Sequence, residues 1–114
     1  MKIDVRNERG ATILAPKGKI NIGVGDVALR EAVHEALEAG ARKLVIDLGG
    51  VTTIDSSGVG ELVSAHKTVE NAGGALKLAN LPSKVADILQ ITQLVTVFEV
   101  HDSASEAVDS FESA

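Results

Sequence analysis

The sequence contains no cysteine, tryptophan or tyrosine, and its aromatic content is only 2%. The missing thiols exclude a disulfide framework, thiol nucleophiles and cysteine-bound metal, and they fit a reducing compartment. With two phenylalanines as its whole aromatic set, the chain has no platform on which the bases of RNA or single-stranded DNA could stack. Basic charge is also scarce. Eleven Lys and Arg stand against 16 Asp and Glu, a formal net charge of −5, which disfavours electrostatic binding to nucleic acid or anionic membranes. The apolar runs fall far short of a membrane span, and the opening Met-Lys-Ile-Asp-Val lacks the continuous apolar region of a signal peptide. The expectation is a cytoplasmic protein with no direct nucleic-acid contact and no membrane insertion, whose partner is a protein or a small ligand.

What the chain does have is aliphatic: 45% of its 114 residues are hydrophobic, enough for the core of one domain spanning 1–114 and too little for two. Residues 2 to 7 and 11 to 16 flank Glu8-Arg9-Gly10 and predict an antiparallel hairpin, with a short strand at Lys19 to Asn21 after Pro16-Lys17-Gly18. From Asp26, a candidate N-cap, Leu29, Val33, Ala36 and Leu37 fall at helical spacing as far as Gly40. Leu44 to Leu48 has the unbroken apolar character of a strand covered on both faces. A second helix runs from about Ser57 to Ala72. The strand Ala75 to Ala79, a helix from Pro82 to Ile91, the strand Val97 to Val100 and a last helix after Ser103 complete the pattern. Ser103 and Glu106 have capping-box spacing. Strands alternating with helices imply right-handed crossovers. The fold expected is α/β, a mixed, mostly parallel sheet of four to five strands with an opening β-hairpin and about four helices.

The chemically pointed stretch is Asp55-Ser56-Ser57-Gly58, between an apolar strand and the second helix. There the unpaired N–H groups and positive dipole end of a helix can hold an anion, including a phosphate carried by a serine. Asp55 or Ser56 would cap the helix, and Ser57 would stand in its first turn with an exposed hydroxyl. Val59, Leu62, Val63, His66 and Val69 would face the sheet, with Glu61, Ser64 and Thr68 outward. Asp and Ser are also the preferred N-caps, so the run admits a purely structural reading. Two features point further: three polar residues stand where one cap would serve, and Gly58 and Gly60 leave the backbone open to a partner.

The segment Leu44-Val-Ile-Asp-Leu-Gly-Gly-Val-Thr-Thr-Ile-Asp-Ser-Ser-Gly-Val-Gly-Glu-Leu62, followed by Ala65-His66-Lys67 and Gly73-Gly74-Ala75-Leu76-Lys77-Leu78, resembles the STAS domain of bacterial anti-sigma factor antagonists. The resemblance extends over essentially the whole chain and implies the STAS fold and a partner-switching role. The unphosphorylated domain would bind an anti-sigma factor with serine-kinase activity, and phosphorylation would release it, so regulating transcription. A PP2C-type phosphatase would reverse the modification. Carried onto this sequence, Ser57 is the phosphorylation site, with Ser56 the alternative. Asn21, Asp55, Ser56, Gly58 and Val59 are the partner-binding positions. The family commonly has Asp where this chain has Asn21, and the following loop, Ile22-Gly23-Val24-Gly25, is about one residue longer than usual. The same fold used constitutively, as a scaffold in a stress-signalling assembly or as an accessory subunit of a lipid-transport ATPase, is the alternative.

Enzymatic readings find less support. His66 lies two helical turns from Ser57, too far for a general base, and is expected to pack at an edge. His34 sits among Glu31, Glu35 and Glu38 as part of a solvated face, and His101 follows the last strand with no evident partner. The Gly23-Val24-Gly25-Asp26 turn lacks the full spacing of a dinucleotide fingerprint and has no Walker lysine. No catalytic residue, metal or cofactor is expected.

Overall fold

The computed structural model describes residues 2–21, 25–93 and 96–112. In chain order the elements are β1 (Lys2–Glu8), β2 (Ala11–Ile20), α1 (Asp26–Glu38), β3 (Lys43–Asp47), β4 (Val51–Ile54), α2 (Ser56–Asn71), β5 (Ala75–Ala79), α3 (Ser83–Ile91), β6 (Glu99–His101) and α4 (Ala104–Glu112). The sheet order is β1-β2-β3-β5-β6, with β4 also paired to β2. The β1–β2 pair is antiparallel, and every other pairing is parallel. The hairpin closes through Arg9 and Gly10, both at positive φ (50° and 82°), the two-residue geometry whose twist matches the strands it joins.

Two strand assignments differ from the sequence expectation. The short strand at Lys19 to Asn21 is the far end of β2, which continues past a register shift between Gly18 and Lys19. β4 is an additional strand, so the sheet has six strands instead of four or five. Its buried residues are Val51 and Ile54, with Thr52 exposed and Thr53 intermediate. That spacing has no period of two, so the alternation that announces a half-buried strand is missing. Since β2 is ten residues long, it can serve β3 through Thr12–Leu14 and β4 through Gly18–Ile20.

Successive side chains of a strand enter opposite faces of the sheet. Leu14, Leu44, Ile46, Leu76 and Leu78 join the larger core, which α1, α2 and α3 cover with Leu29, Val33, Leu62, Val69, Val85 and Leu89. Ala11, Ile13, Val45 and Ala79 supply the opposite face, covered by Ala104, Ala107 and Val108 of α4. Ser103 caps α4 by accepting a hydrogen bond from the Glu106 N–H at 3.1 Å, as its spacing predicted. The half-buried His66 meets Phe98 edge-on, with ring centroids 5.5 Å apart, and its Nδ1 lies 3.0 Å from Glu70.

On the α4 face the pattern admits one lysine. Lys77 is 9% exposed; its ammonium lies 2.8 Å from Glu99 and 4.2 Å from the centre of the Phe111 ring. It also donates to Ser110. Its aliphatic stem is thus buried on the Ser110 and Phe111 side of α4 while its charge remains compensated. Hydrogen bonds from Lys77 and then His101 hold the Glu99 carboxyl below its usual range, at about 2 instead of 4.5. Because the folded value is depressed, this contribution to stability is complete above about pH 4.5 and is lost as pH falls through about 2. Replacing Lys77→Met should raise the Glu99 titration toward its ordinary value. The stability difference between wild type and variant, measured by thermal unfolding across the acid range, should be constant above pH 4.5 and shrink below it.

Candidate functional site

The site forms where the carboxyl ends of β2 and β4 lie side by side, Ile20 opposite Ile54. Asp55 leaves β4 in an extended conformation and caps α2, its Oδ1 accepting from the Gly58 N–H at 3.0 Å. This is the Asx cap expected from the sequence. Gly58 serves a separate purpose. A Cβ there would lie 2.2 Å from the Ile20 carbonyl oxygen and 2.6 Å from Ile54 Cγ1, so the first turn of α2 rests directly on the end of β2. Of the polar run, Asp55 is therefore the cap and Gly58 the contact, which leaves two serines to account for.

Ser56 is exposed, whereas Ser57 is half-buried. The Ser57 hydroxyl donates to Asp26 Oδ2 at 3.1 Å, so the expected free hydroxyl is in fact turned toward α1. Asp26 is not the N-cap of α1. Gly25, in the left-handed region at φ 92°, takes that position, and Asp26 is the first helical residue. Its other carboxylate oxygen accepts from the Val27 N–H at 2.8 Å. Asp26 is 8% exposed, and a carboxylate this buried is stable only when its oxygens are hydrogen-bonded.

One helical turn further on, Arg30 Nε reaches Glu61 Oε1 at 3.1 Å. Both rungs join residues 31 apart in sequence, so α1 and α2 run in the same direction and in register from the carboxyl ends of the strands. Beyond them Val33, His34, Ser64, Ala65 and Thr68 line a narrow crevice between the helices. Glu61 and Thr68 consequently face α1 instead of solvent; the Glu61 side chain is only 11% exposed.

Asn21 follows β2, is half-buried and forms a backbone bridge with Gly25. Ile22, Gly23 and Val24, most of the glycine-rich turn noted in the sequence, lie outside the described residues. Gly58 and Val59 were expected to line a contact surface, but both are buried because the helix packs so closely on β2. They support the surface from beneath, and Ser56 and Gly60 are the exposed residues there. No histidine joins Ser57 and Asp26 in a triad among the described hydrogen bonds: His66 engages Glu70 and His101 engages Glu99. No cluster of three or more potential metal ligands occurs among the described residues, and none of their helices is long and apolar enough to cross a membrane. A groove of about 460 Å³ lies at the other end of α1 between Val5, Leu14, Ala36 and Ala41.

The arrangement is thus a serine hydroxyl in the first turn of a helix, hydrogen-bonded to a buried carboxylate on the neighbouring helix. Sequence reasoning located Ser57 but missed Asp26, whose position next to an expected helix start suggested only a cap. The available signal was Gly25, which can adopt the left-handed conformation and so displace the cap by one residue.

A model of the STAS domain matches residues 2–107. The anti-sigma-B factor antagonist of Bacillus subtilis is 32% identical over 88% of this chain and 90% of its own length. A crystal structure from Thermotoga maritima, of a protein proposed to be an anti-sigma factor antagonist, superposes with a TM-score of 0.86 at 27% identity, covering 95% of this chain and 92% of that one. The anti-sigma factor antagonist SpoIIAA in its unphosphorylated form gives a TM-score of 0.75 at 18% identity over 99% and 100% of the two chains.

The packing at Gly58 is directly testable. Gly58→Ala should force apart β2 and the first turn of α2 and cost about 1–3 kcal/mol, the usual scale for overpacking. Gly60→Ala meets nothing within 4 Å and should be neutral or stabilise the helix by up to about 1 kcal/mol. Urea denaturation of the two variants separates close approach from helix propensity.

Proposed function

Since the chain belongs to the STAS domain family, we propose that it is an anti-sigma factor antagonist whose binding is switched by phosphorylation of Ser57. The observation that carries this reading is the placement of the Ser57 hydroxyl, in the first turn of α2 and hydrogen-bonded to Asp26, beside the exposed Ser56. In this role the unphosphorylated protein binds an anti-sigma factor that is itself a serine kinase, freeing the sigma factor for transcription. A PP2C-type phosphatase resets the cycle, and all of these partners meet in the cytoplasm. ATP is consumed by the kinase, while this chain supplies the acceptor and the docking surface.

The physics of the site suits a switch. A phosphate adds nearly two negative charges and three acceptor oxygens at neutral pH. At a helix N-terminus that charge is favoured by about 0.3–1 kcal/mol at an exposed position, so the domain itself tolerates it. A partner closed over the bare serine does not, because the new charge would be buried without a counter-ion. Asn21, where the family commonly has Asp, retains hydrogen-bonding capacity without charge, so binding at this edge relies on neutral polar contact and on the serine loop.

The test is phosphopeptide mapping of protein isolated from its native host with phosphatase inhibitors, on the tryptic peptide Leu44 to Lys67, which holds the two candidates Ser56 and Ser57 together with Ser64, so that the phosphate is localised by fragmentation. Phosphate on Ser57 is expected; a peptide unmodified under every growth condition would favour a constitutive scaffold or accessory subunit. Ser57→Ala should still bind the anti-sigma factor and lose the Ser57 phosphate, leaving only slow transfer to the exposed Ser56. It should lose about 1–3 kcal/mol of stability, since the buried Asp26 forfeits a donor. Ser57→Asp should weaken the complex by roughly tenfold or more in calorimetry, the scale of a like or unpaired charge at an interface. Unchanged affinity would defeat the charge argument.

A further inference from the structure

We infer that Asp26 selects and activates Ser57 as the phosphoryl acceptor, making it a substrate-side proton acceptor that the neighbouring Ser56 lacks. This rests on the reading of Ser57 as the phosphorylation site and adds to it a reason why one of two adjacent hydroxyls is used.

The geometry supplies three parts of the argument. Asp26 is 8% exposed, and its carboxylate is held from both sides, by the Val27 N–H on Oδ1 at 2.8 Å and by the Ser57 hydroxyl on Oδ2 at 3.1 Å. Gly25 occupies the N-cap of α1, and with one Asp26 oxygen on the first-turn Val27 N–H the other is left to Ser57. Ser57 is fixed in turn by its own helix, through the Asp55 cap on Gly58 and the Arg30–Glu61 rung one turn below. Two rigid elements therefore present one hydroxyl to one carboxylate. Ser56, a residue earlier on the same helix, is rotated by about 100° and exposed, away from α1.

A serine that donates its only proton to a carboxylate keeps both lone pairs for an incoming electrophile. With ATP bound in the kinase partner, Ser57 Oγ attacks the γ-phosphorus and the new O–P bond forms. The bond from that phosphorus to the bridging oxygen breaks, and ADP leaves with the electron pair. The hydroxyl proton passes along the existing hydrogen bond to Asp26 Oδ2. A positioned base of this sort contributes typically 10²–10⁴-fold. A phosphate formed here also meets the Asp26 carboxylate at contact distance, so its charge is driven outward, toward the face on which a partner would sit.

The experiment compares wild type, Asp26→Asn, Asp26→Glu and Ser57→Ala in native-host extract supplied with ATP, reading the phosphorylation rate at each serine by mass spectrometry as protein concentration is raised. Asparagine is close to isosteric and still accepts the serine hydrogen bond, but it cannot take the proton. Asp26→Asn should lower the maximal Ser57 rate by roughly a hundredfold, leaving the concentration for half-maximal rate and the circular dichroism spectrum unchanged. The share of phosphate on Ser56 should rise, and Asp26→Glu should recover part of the Ser57 rate. A merely structural role would change the half-saturating concentration and the melting temperature instead. Ser57 phosphorylation of Asp26→Asn at the wild-type maximal rate overturns the inference. So does transfer of phosphate to Ser56 in Ser57→Ala at that rate, an outcome that does not depend on any Asp26 variant folding. Wild type that accepts phosphate on neither serine overturns the underlying reading of function.

Discussion

The contact on which the site depends is that of Gly58 with the end of β2. A backbone carbonyl, that of Ile20, stands where any larger residue would place its Cβ, so the α2 helix axis can come this close to the sheet only at glycine. That approach fixes the height at which α2 leaves β4. The helical period then sets which residue of its first turn faces α1: Ser57 does, and Ser56 does not. A glycine that resembles an open patch for a partner is, in this fold, the point of closest packing.

The two interhelical rungs follow from the same constraint. Because α1 starts after β2 and α2 after β4, and β2 and β4 are parallel neighbours, the helices begin at one end of the sheet and keep step along their length. Asp26 meets Ser57, and four residues later Arg30 meets Glu61. The two rungs differ in kind. Arg30–Glu61 joins a half-exposed guanidinium to a carboxylate and contributes at most about 1 kcal/mol. Asp26–Ser57 joins a buried charge to a neutral donor, where losing the partner leaves the charge poorly solvated. The first rung aligns the helices, and the second is the one sensitive to chemical modification.

Much of this was legible in the sequence, because burial leaves periodic traces. Of the stripe read on α2, Val59, Leu62 and Val69 are buried as their spacing indicated, and Val63 and His66 are partly buried at its edge. The misreadings occur where one signal stood in for another. β4 buries Val51 and Ile54 without alternation, so a strand looked like a loop. Lys19 to Asn21 looked separate because Gly18 interrupts the pattern, yet the glycine only bends β2 and shifts its register. Asp26 was read as a cap by residue preference, although a left-handed glycine one position earlier does the capping. Glu61 was placed in solvent because periodicity separates polar from apolar faces without showing that a polar face lies against a second helix. Contacts between residues 31 apart leave no local trace.

A switch built this way can change binding without endangering the fold. The apolar cores lie on the two faces of the sheet, one under α1, α2 and α3 and the other under α4, while Ser57 and Asp26 sit at the end of the sheet, beyond the last paired residues of β2 and β4. A charge added to Ser57 acts on one hydrogen bond, on a helix N-terminus that favours anions and on whatever surface faces it. It removes nothing from either core. Within the domain the cost is local: the Asp26 contact, worth about 1–3 kcal/mol when a buried charge forfeits its donor, and the repulsion from that carboxylate, which turns the phosphate toward solvent. A partner closed over the same residues must desolvate the whole phosphate, a penalty of several kcal/mol for a group left unpaired. In the proposed role that inequality would make Ser57 a point of control, because the same modification is mild within the domain and severe across its interface.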